Sequence, residues 1–366
     1  MTDRFDIAVI GAGMAGASLA AECAPFASVV VLEAEAQPGY HTTGRSAAFW
    51  EECYGGPQIV PLTLASGPFL QDHGFLSPRG ALYIAQDGDA ALLDAFERRF
   101  ADTGATFSRL DRAGLRVRLP DAQPGWTGAI WQPDCADIDV AGLHGHYLTR
   151  LRRADAQVRC SAPLQAARYV DDGWVLRTGD GQELRSRLLV NAAGAWADPV
   201  AALCGVAPSG IQPLRRTVVQ LRSEPAPPTD LPLVLGIDGS FYFKPEAGGR
   251  IWLSPHDETP SPPVDAAPEE IDIARAIARF GDVLDWQVEA VERKWAGLRS
   301  FAPDRLPVIG FDSKARGFFW FAGQGGWGIQ TAPAAARLAA QLLLELSRDA
   351  MTEAIDAAKF APGRWG

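Results

Sequence analysis

The sequence lacks several features that would assign it to other classes of protein. It has no run of about 18 apolar residues, so no membrane-spanning helix is predicted. It begins with Met1-Thr2-Asp3-Arg4 and then enters an apolar stretch, without the pattern of a secretory leader. Its five cysteines are scattered and form no CxxC pair, which argues against a disulfide framework and a zinc site. We therefore expect a cytoplasmic protein with no bound metal and no stable membrane insertion.

Positive charge and histidine are also scarce. The chain has 34 lysines and arginines against 44 acidic residues, a formal net charge of −10, which argues against nucleic acid or an anionic membrane as the main partner. The five histidines show no spacing typical of metal ligands, since His144 and His146 would lie on different faces of a helix. At 366 residues the chain is too long for one ordinary core, so two domains are predicted.

What the sequence does contain is a dinucleotide-binding fingerprint near its start. Gly11 permits a tight turn, Gly13 has no side chain to block a pyrophosphate, and Gly16 lets a helix lie close to a strand. The phosphates would bind the free N–H groups at the positive end of that helix. Glu33 follows Gly11 by 22 positions, where an acid accepts hydrogen bonds from ribose hydroxyls. The predicted segments are a strand 7–10, the glycine turn 11–16, a helix 17–23 and a strand 29–32.

Three later segments predict that the dinucleotide is FAD. The irregular loop 37–48 offers several hydroxyls and one fixed cation, which suits a long polar ligand such as the ribityl and pyrophosphate groups. A buried parallel strand runs into Asn191-Ala-Ala-Gly-Ala-Trp196, where small residues let the backbone approach the cofactor again. Residues 323–331 place four glycines before a long helix. The dipole of that helix would stabilise the negative charge of a reduced flavin.

The remaining patterns predict a discontinuous two-domain α/β protein. Helices are expected over 89–103, 140–154 and 268–280, and a hairpin over 164–169 and 174–177. Amphipathic strands between 208 and 293 fit an antiparallel sheet with one covered face. The predicted architecture is a Rossmann-type FAD-binding domain formed by 1–53, 137–207 and 294–366. The second domain, formed by 54–136 and 208–293, would bind the substrate on an antiparallel sheet.

With these motifs placed, the chain resembles the FAD-dependent glycine and D-amino-acid oxidase family over nearly its full length. Within that family the similarity is greatest to bacterial D-amino-acid dehydrogenases of the D-arginine dehydrogenase type. Several motifs in one order are more specific than any single one. They are GAGMAG from Gly11, PGYHTTGRSAA from Pro38, Tyr54-Gly55, LSPR from Leu76, ADIDVAGLH from Ala136, NAAGAW from Asn191, QPLRR from Gln212, SFYFKP from Ser240, WAGLRSF from Trp295 and QGGWGIQT from Gln324.

The resemblance implies roles for individual residues. Arg299 would bind the substrate carboxylate as a bidentate pair, helped by the Tyr242 hydroxyl, with Arg216 at the rim and Tyr54 closing the entrance. The FAD would be held without a covalent bond. Its expected contacts are Gly11, Gly13, Ala15, Gly16, Glu33, Ala34, His41, Thr42, Thr43, Arg45, Ser46, Ala47, Ala48, Ala193, Gly194, Trp196, Gly297, Arg299, Gly325, Gly326, Trp327, Gly328, Ile329 and Gln330.

The chain departs from the D-arginine type where a cationic side chain would bind. Ala81 stands in place of an acid and Phe49 in place of a histidine. The guanidinium of an arginine substrate would have no partner there, which would cost about 2–5 kcal/mol of binding free energy. Glu51 or Glu52 is an alternative partner from another direction. The aromatic residues instead favour an apolar or aromatic substrate pocket. Its expected lining is Phe49, Trp50, Glu51, Tyr83, Gly326, Trp327 and Gln330.

The sequence thus favours oxidation of an amino acid, of D configuration and with a neutral or apolar side chain, to the imino acid and then the 2-oxo acid. Hydride would pass from Cα to flavin N5, with a quinone, an electron carrier or O₂ as the final acceptor. One alternative is a 2-hydroxy-acid or secondary-amine dehydrogenase or oxidase, for which His41 is the candidate base. Two others are a flavin-binding electron-transfer subunit and an NAD-dependent dehydrogenase.

Overall fold

The computed structural model describes residues 3–365, which form three β-sheets and eight α-helices. The mixed α/β architecture predicted from the sequence is confirmed. None of the helices in this range combines the length and apolar composition needed to cross a bilayer. The helices are α1 (Met14–Cys23), α2 (Val60–Asp72), α3 (Ala90–Phe100), α4 (Arg112–Arg118), α5 (Val140–Arg153), α6 (Ala197–Leu203), α7 (Glu270–Val283) and α8 (Ala332–Leu343).

The first sheet carries the dinucleotide fingerprint. Strands β9, β2, β1 and β12 are neighbours in that order and all parallel, and β20 extends the parallel arrangement beside the end of β12. The apolar runs 7–10 and 29–32 are buried, as expected for parallel strands covered on both faces. The strands are β1 (Asp3–Ile10), β2 (Val29–Leu32), β9 (Gln157–Arg159), β10 (Leu164–Val170), β11 (Gly173–Thr178), β12 (Glu183–Asn191), β19 (Val308–Phe311) and β20 (Phe318–Ala322).

The second sheet has ten strands and is antiparallel except for the pair β14 and β5. A third, three-stranded sheet is formed by β3 (Phe49–Trp50), β8 (Ala136–Ile138) and β4 (Leu76–Pro78). The strands of the second sheet are β5 (Ala81–Gln86), β6 (Ser108–Asp111), β7 (Trp126–Gln132), β13 (Gln212–Glu224), β14 (Leu233–Gly236), β15 (Tyr242–Glu246), β16 (Arg250–Ser254), β17 (Thr259–Pro260), β18 (Gln287–Phe301) and β21 (Gln324–Gly325).

The long pair β13 and β18 positions two arginines. Their register places Arg216 opposite Gly297 and Leu214 opposite Arg299. Because successive side chains alternate between the faces of a strand, Arg216 and Arg299 are diagonal neighbours on one face. The adjacent Arg215 points to the other face, where it pairs with Glu269 and Asp272.

Local sequence patterns predicted most elements, although some helix ends are shifted and two helices, α2 and α4, were not predicted. The hairpin of β10 and β11 is confirmed, and the predicted helices are shifted by a few residues at their ends. Helix α1 begins at Met14 rather than at residue 17, so Gly16 lies in its first turn. Helix α2 was not predicted because it contains Pro61, which is tolerated in the first turn, and Pro68 in its interior. The division into two domains stays a prediction, and its boundary at 293/294 lies within β18.

Candidate active site

A single cavity of about 490 Å³ connects the dinucleotide fingerprint to the two arginines of β13 and β18. Its walls come from the β1–α1 turn, the end of β2, the loop 39–49, residues 192–200 and the segment 321–330. The residues predicted to bind FAD from these segments therefore meet around one space. Gly16 and Trp327 differ, because they support the wall from behind.

The glycine turn leaves the room that a pyrophosphate requires. A Cβ on Gly16 would lie 1.8 Å from the Gly11 oxygen, so Gly16 is needed for the close contact between α1 and the turn. A Cβ on Gly13 would meet only the Thr43 hydroxyl, at 3.3 Å, and would otherwise fill the cavity. Gly11 has φ +101°. The turn therefore fits the diphosphate of FAD, with Gly13 at the point of close approach.

Glu33 lies at the end of β2, where the adenosine ribose is expected. Its carboxylate accepts hydrogen bonds from the Ala12 N–H at 2.7 Å and from the Glu35 N–H at 3.0 Å. His41, the candidate base for a hydroxy-acid substrate, lies at this same end. Its Nε2 is 2.9 Å from a Glu35 carboxylate oxygen, and its ring packs on Trp196 with a centroid distance of 4.5 Å.

The side chains of the hydroxyl-rich loop 37–48 form hydrogen bonds with other parts of the protein. The Thr43 hydroxyl accepts from the Met14 N–H at 2.9 Å, and the Thr42 hydroxyl donates to the Leu298 oxygen at 2.7 Å. Arg45 pairs with Asp265 and donates to the oxygens of Ala266 and Ala296. The loop is thus tied both to the fingerprint and to β18. Ser46, Ala47 and Ala48 line the cavity beside it.

Arg299 lies against the glycine-rich segment that precedes α8. A Cβ on Gly326 would be only 2.6 Å from Arg299 Nη1, so the guanidinium occupies the space that the missing side chain leaves. The guanidinium also lies 5.7 Å from the centre of the Tyr54 ring. Burial by itself lowers the pKa of Arg299, but the Tyr54 and Tyr242 hydroxyls outweigh it and the pKa lies above its ordinary value. Arg299 is therefore a fixed cation.

Arg216 is the second cation of this end of the cavity and is 4% exposed. Its Nε donates to the Asp257 oxygen at 2.8 Å and its Nη2 to a Glu258 carboxylate oxygen at 3.4 Å. Within residues 3–365, nothing accepts a hydrogen bond from its buried Nη1. Burial, reinforced by the charge of Arg299, lowers the pKa of Arg216 to about 10, so it stays protonated at neutral pH. An unpaired buried donor on a cation calls for an anionic ligand.

Three aromatic rings enclose the space beside the arginines. Phe49 packs edge-on against Tyr54 and Tyr242, with ring centroids 5.0 and 5.8 Å away. All three side chains are at most 9% exposed and line the cavity. Burial raises the pKa of the Tyr242 hydroxyl, although both arginines act against this, so the hydroxyl is neutral and able to donate.

Several residues predicted for the substrate pocket lie behind this wall. Tyr83 donates to the buried Glu51 carboxyl group at 2.7 Å, and burial raises the pKa of Glu51 to about 8. Trp50 donates to the Thr63 oxygen at 3.0 Å. The Trp327 ring packs edge-on against Tyr54.

Gln330 borders the cavity but directs its side chain away from it. The Gln330 amide donates to the Thr63 hydroxyl at 2.9 Å and to the backbone carbonyl oxygens of Glu51 and Tyr54, both at 3.3 Å. Its own oxygen accepts from the Glu51 N–H at 3.2 Å. Gln330 therefore joins the segment before α8 to the turn that carries Tyr54.

Two histidines of this region were not assigned roles from the sequence. His144 donates from Nε2 to the Ala12 oxygen at 2.9 Å and so braces the glycine turn. His256 follows β16 and lies beside Tyr54, with its Nε2 3.5 Å from the tyrosine hydroxyl. His144 ends the motif ADIDVAGLH, which could have pointed to it, whereas His256 lies in no such motif and reaches Tyr54 through long-range strand pairing.

Comparison with known proteins agrees with the fold. The crystal structure of glycine oxidase from Geobacillus kaustophilus has a TM-score of 0.85 at 22% identity, over 99% of each chain. L-proline dehydrogenase from P. horikoshii has a TM-score of 0.86 at 20% identity, over 100% of this chain and 98% of that chain. Mitochondrial L-2-hydroxyglutarate dehydrogenase of Bos taurus is 23% identical over 290 residues, 70% of this chain and 61% of that protein.

The sequence pattern of one family covers almost the whole chain. The match, to the family described as FAD dependent oxidoreductase, extends over residues 6–342 and so includes the glycine turn, both arginines and the segment before α8. FAD is accordingly the cofactor of this chain. The chain belongs to the FAD-dependent oxidoreductase family.

Proposed function

We propose that this oxidoreductase oxidises an α-amino acid with a neutral or apolar side chain to the imino acid, which water hydrolyses to a 2-oxo acid and ammonia. The observation that carries the proposal is the pair of cations, Arg299 and the incompletely bonded Arg216, on the wall of the cavity that we propose to hold FAD. A carboxylate is the planar anion that guanidinium groups bind best. The resemblance to D-amino-acid dehydrogenases favours the D configuration.

The residues of the site would have separate roles in the reaction. Arg299 and the Nη1 of Arg216 would hold the carboxylate, and the neutral Tyr242 hydroxyl would donate a third hydrogen bond. With the carboxylate fixed, Cα has one position relative to the cofactor, and such positioning contributes strongly to catalysis. When bound, FAD supplies the two-electron acceptor for the hydride that leaves Cα. Phe49 and Tyr54 keep water from the reacting atoms, and the amine reacts in its neutral form.

The charges around the cavity support a neutral substrate side chain. The acidic residues that line it, among those described, are Glu33 and Glu35 at the ribose end. Glu51 is bonded to Tyr83, and Glu52 accepts from the Thr106 N–H at 2.5 Å. Neither carboxyl group borders the cavity, so a guanidinium or ammonium side chain would lack a partner there. A substrate of the D-arginine type is therefore not proposed.

A substrate screen tests the proposal. The purified holoenzyme is mixed with D- and L-amino acids, N-methylglycine and 2-hydroxy acids in the presence of a dye that accepts electrons, and 2-oxo acid and ammonia are measured. We expect reduction of the dye with neutral D-amino acids and one ammonia for each 2-oxo acid. Dye reduction by hydroxy acids alone, with no ammonia, would contradict amine oxidation.

A second candidate is oxidation of a 2-hydroxy acid, and one observation favours it. A hydroxy acid must lose its hydroxyl proton to a base, and the imidazole of His256, which does not itself line the cavity, lies 3.5 Å from the hydroxyl of Tyr54, which does. The similarity to L-2-hydroxyglutarate dehydrogenase points the same way. In that case the screen would give dye reduction without ammonia, and replacing His256 would lower kcat far more than it raises KM.

A further inference from the structure

We propose that His256 is a positioning residue for the carboxylate site. Its Nε2 accepts the hydrogen bond of the Tyr54 hydroxyl, which fixes the direction in which the Tyr54 oxygen faces Arg299. This inference rests on the proposed function, because it concerns how the carboxylate clamp of the substrate is organised. It assigns His256 no direct contact with the substrate.

The neighbours of the imidazole define which nitrogen carries the proton. Nδ1 is hydrogen-bonded to the backbone oxygen of Gly239, and since a carbonyl oxygen only accepts, Nδ1 must carry the hydrogen. In the neutral ring Nε2 is then an acceptor, and it lies 3.5 Å from the Tyr54 hydroxyl. Such contacts are often long in ligand-free sites and shorten in complexes. The ring also packs edge-on against Tyr242 at 5.8 Å.

The charged groups around His256 keep it neutral. Arg216 on β13, Arg299 on β18 and Arg279 on α7 are the cations that face it, and Tyr54 and Tyr242 are the other titratable groups in contact. Burial first, and then these cations, hold the pKa of His256 well below its ordinary value. The lone pair on Nε2 is therefore available to Tyr54 at neutral pH.

The chemistry of each group sets a single direction for the hydrogen bonds. The Arg299 guanidinium lies beside Tyr54, 5.7 Å from the centre of its ring, and a guanidinium only donates, so the hydrogen of the Tyr54 hydroxyl is not taken up by Arg299 and is free for His256. His256 in turn donates to Gly239. The hydrogen bonds run from Tyr54 through His256 to the backbone carbonyl of Gly239, and Arg299 lies beside the tyrosine at the start of this series. Without Nε2, the Tyr54 hydroxyl loses this constraint and turns more freely beside Arg299.

The backbone around His256 is built to hold this arrangement. His256 has φ +54°, a conformation that side-chain-bearing residues seldom adopt. Its N–H donates to the Ser254 hydroxyl at 3.1 Å, and the oxygen of the next residue, Asp257, accepts from Arg216 Nε. One turn therefore orients Tyr54 through a side chain and Arg216 through the backbone. Strain of this kind is retained where the position of a group matters.

Binding of benzoate to the holoenzyme, followed by the change in flavin absorbance, tests the proposal in a double-mutant cycle. His256→Asn keeps a donor in the place of Nδ1 and tolerates the positive φ, but it has no atom in the place of Nε2. His256→Gln is the matched control, because its amide oxygen can replace Nε2 as the acceptor. Tyr54→Phe removes the partner. Thermal unfolding of each variant is measured in parallel.

We expect His256→Asn and Tyr54→Phe each to weaken benzoate binding about three- to tenfold, the equivalent of one neutral hydrogen bond. The double variant should be no weaker than the weaker single variant, and His256→Gln should recover most of the affinity. Additive losses in the double variant, or equal losses for Asn and Gln, would overturn the proposal. So would a wild-type site that binds no benzoate. Benzoate binding requires no turnover, so a coupled cycle in an enzyme that oxidises no amino acid would refute only the proposed function.

Discussion

Replacement of Gly326 by alanine is the most specific perturbation that the site offers. The new Cβ would lie 2.6 Å from Arg299 Nη1, 2.8 Å from Cζ and 3.1 Å from Nε. Ordinary contact begins near 3.4 Å, so the guanidinium must retreat by about 0.8 Å (3.4 − 2.6). Because the obstructing atoms are the end of a flexible side chain and Gly326 has no positive φ, the guanidinium moves while the fold remains.

A displacement of this size removes a charged hydrogen bond from its favourable range of distances. Such a bond contributes about 1.5–3 kcal/mol, so we expect the affinity for benzoate, or 1/KM for the substrate, to fall about 10- to 150-fold. Flavin content and the midpoint of thermal unfolding should change little. The matched control is Gly145→Ala on α5, where a Cβ meets no atom within 4 Å and binding should be unchanged. Binding within twofold of wild type in Gly326→Ala, with FAD bound, would show that Arg299 does not hold the carboxylate in this position.

Two further predictions concern the cofactor site and the buried acid. Gly13→Ala places a methyl group in the space for the pyrophosphate, where the only protein atom it meets is the Thr43 hydroxyl. The affinity for FAD should therefore fall about tenfold while the fold is retained. The dissociation constant is measured by flavin fluorescence, and an unchanged value would contradict this prediction. Burial raises the pKa of Glu51 to about 8 in the folded protein, against an ordinary value of 4.5. Between these two pH values the folded protein keeps a proton that the unfolded chain releases. The free energy of unfolding should therefore fall as pH rises through this range, by up to about 1.4 kcal/mol per pH unit. This dependence should be absent in Glu51→Gln, and equal slopes in denaturant titrations of both proteins would refute the assignment.

The cofactor site was predictable because its signals are local. A strand, three glycines, a helix of small residues and an acid lie within one short stretch, and each residue has a defined stereochemical reason to be there. The loop after β2 was recognised as part of the site, but its side chains have a different use. Thr42 and Arg45 bind protein atoms of β18 and the segment around residue 265, which are far away in sequence.

The carboxylate end was only partly predictable, because it depends on pairing between distant strands. Arg216 and Arg299 were identified through the family resemblance, whereas their shared face follows from the register of β13 and β18. His256 has no motif or periodicity, and its place beside Tyr54 depends on a turn with positive φ. Glu51 lies in sequence among pocket residues, yet its side chain turns to Tyr83, a choice that sequence spacing does not encode.

The central claim is that a carboxylate held by Arg299 and Arg216 places an amino acid for oxidation. The most direct test is anaerobic mixing of the holoenzyme with a neutral D-amino acid and, separately, with the carboxamide of the same amino acid, while the oxidised-flavin absorbance is followed. The amino acid should bleach the flavin and the carboxamide should not, because the carboxamide has no charge for the two guanidiniums. Equal bleaching by both compounds, or bleaching by no amino acid of either hand, would contradict the account.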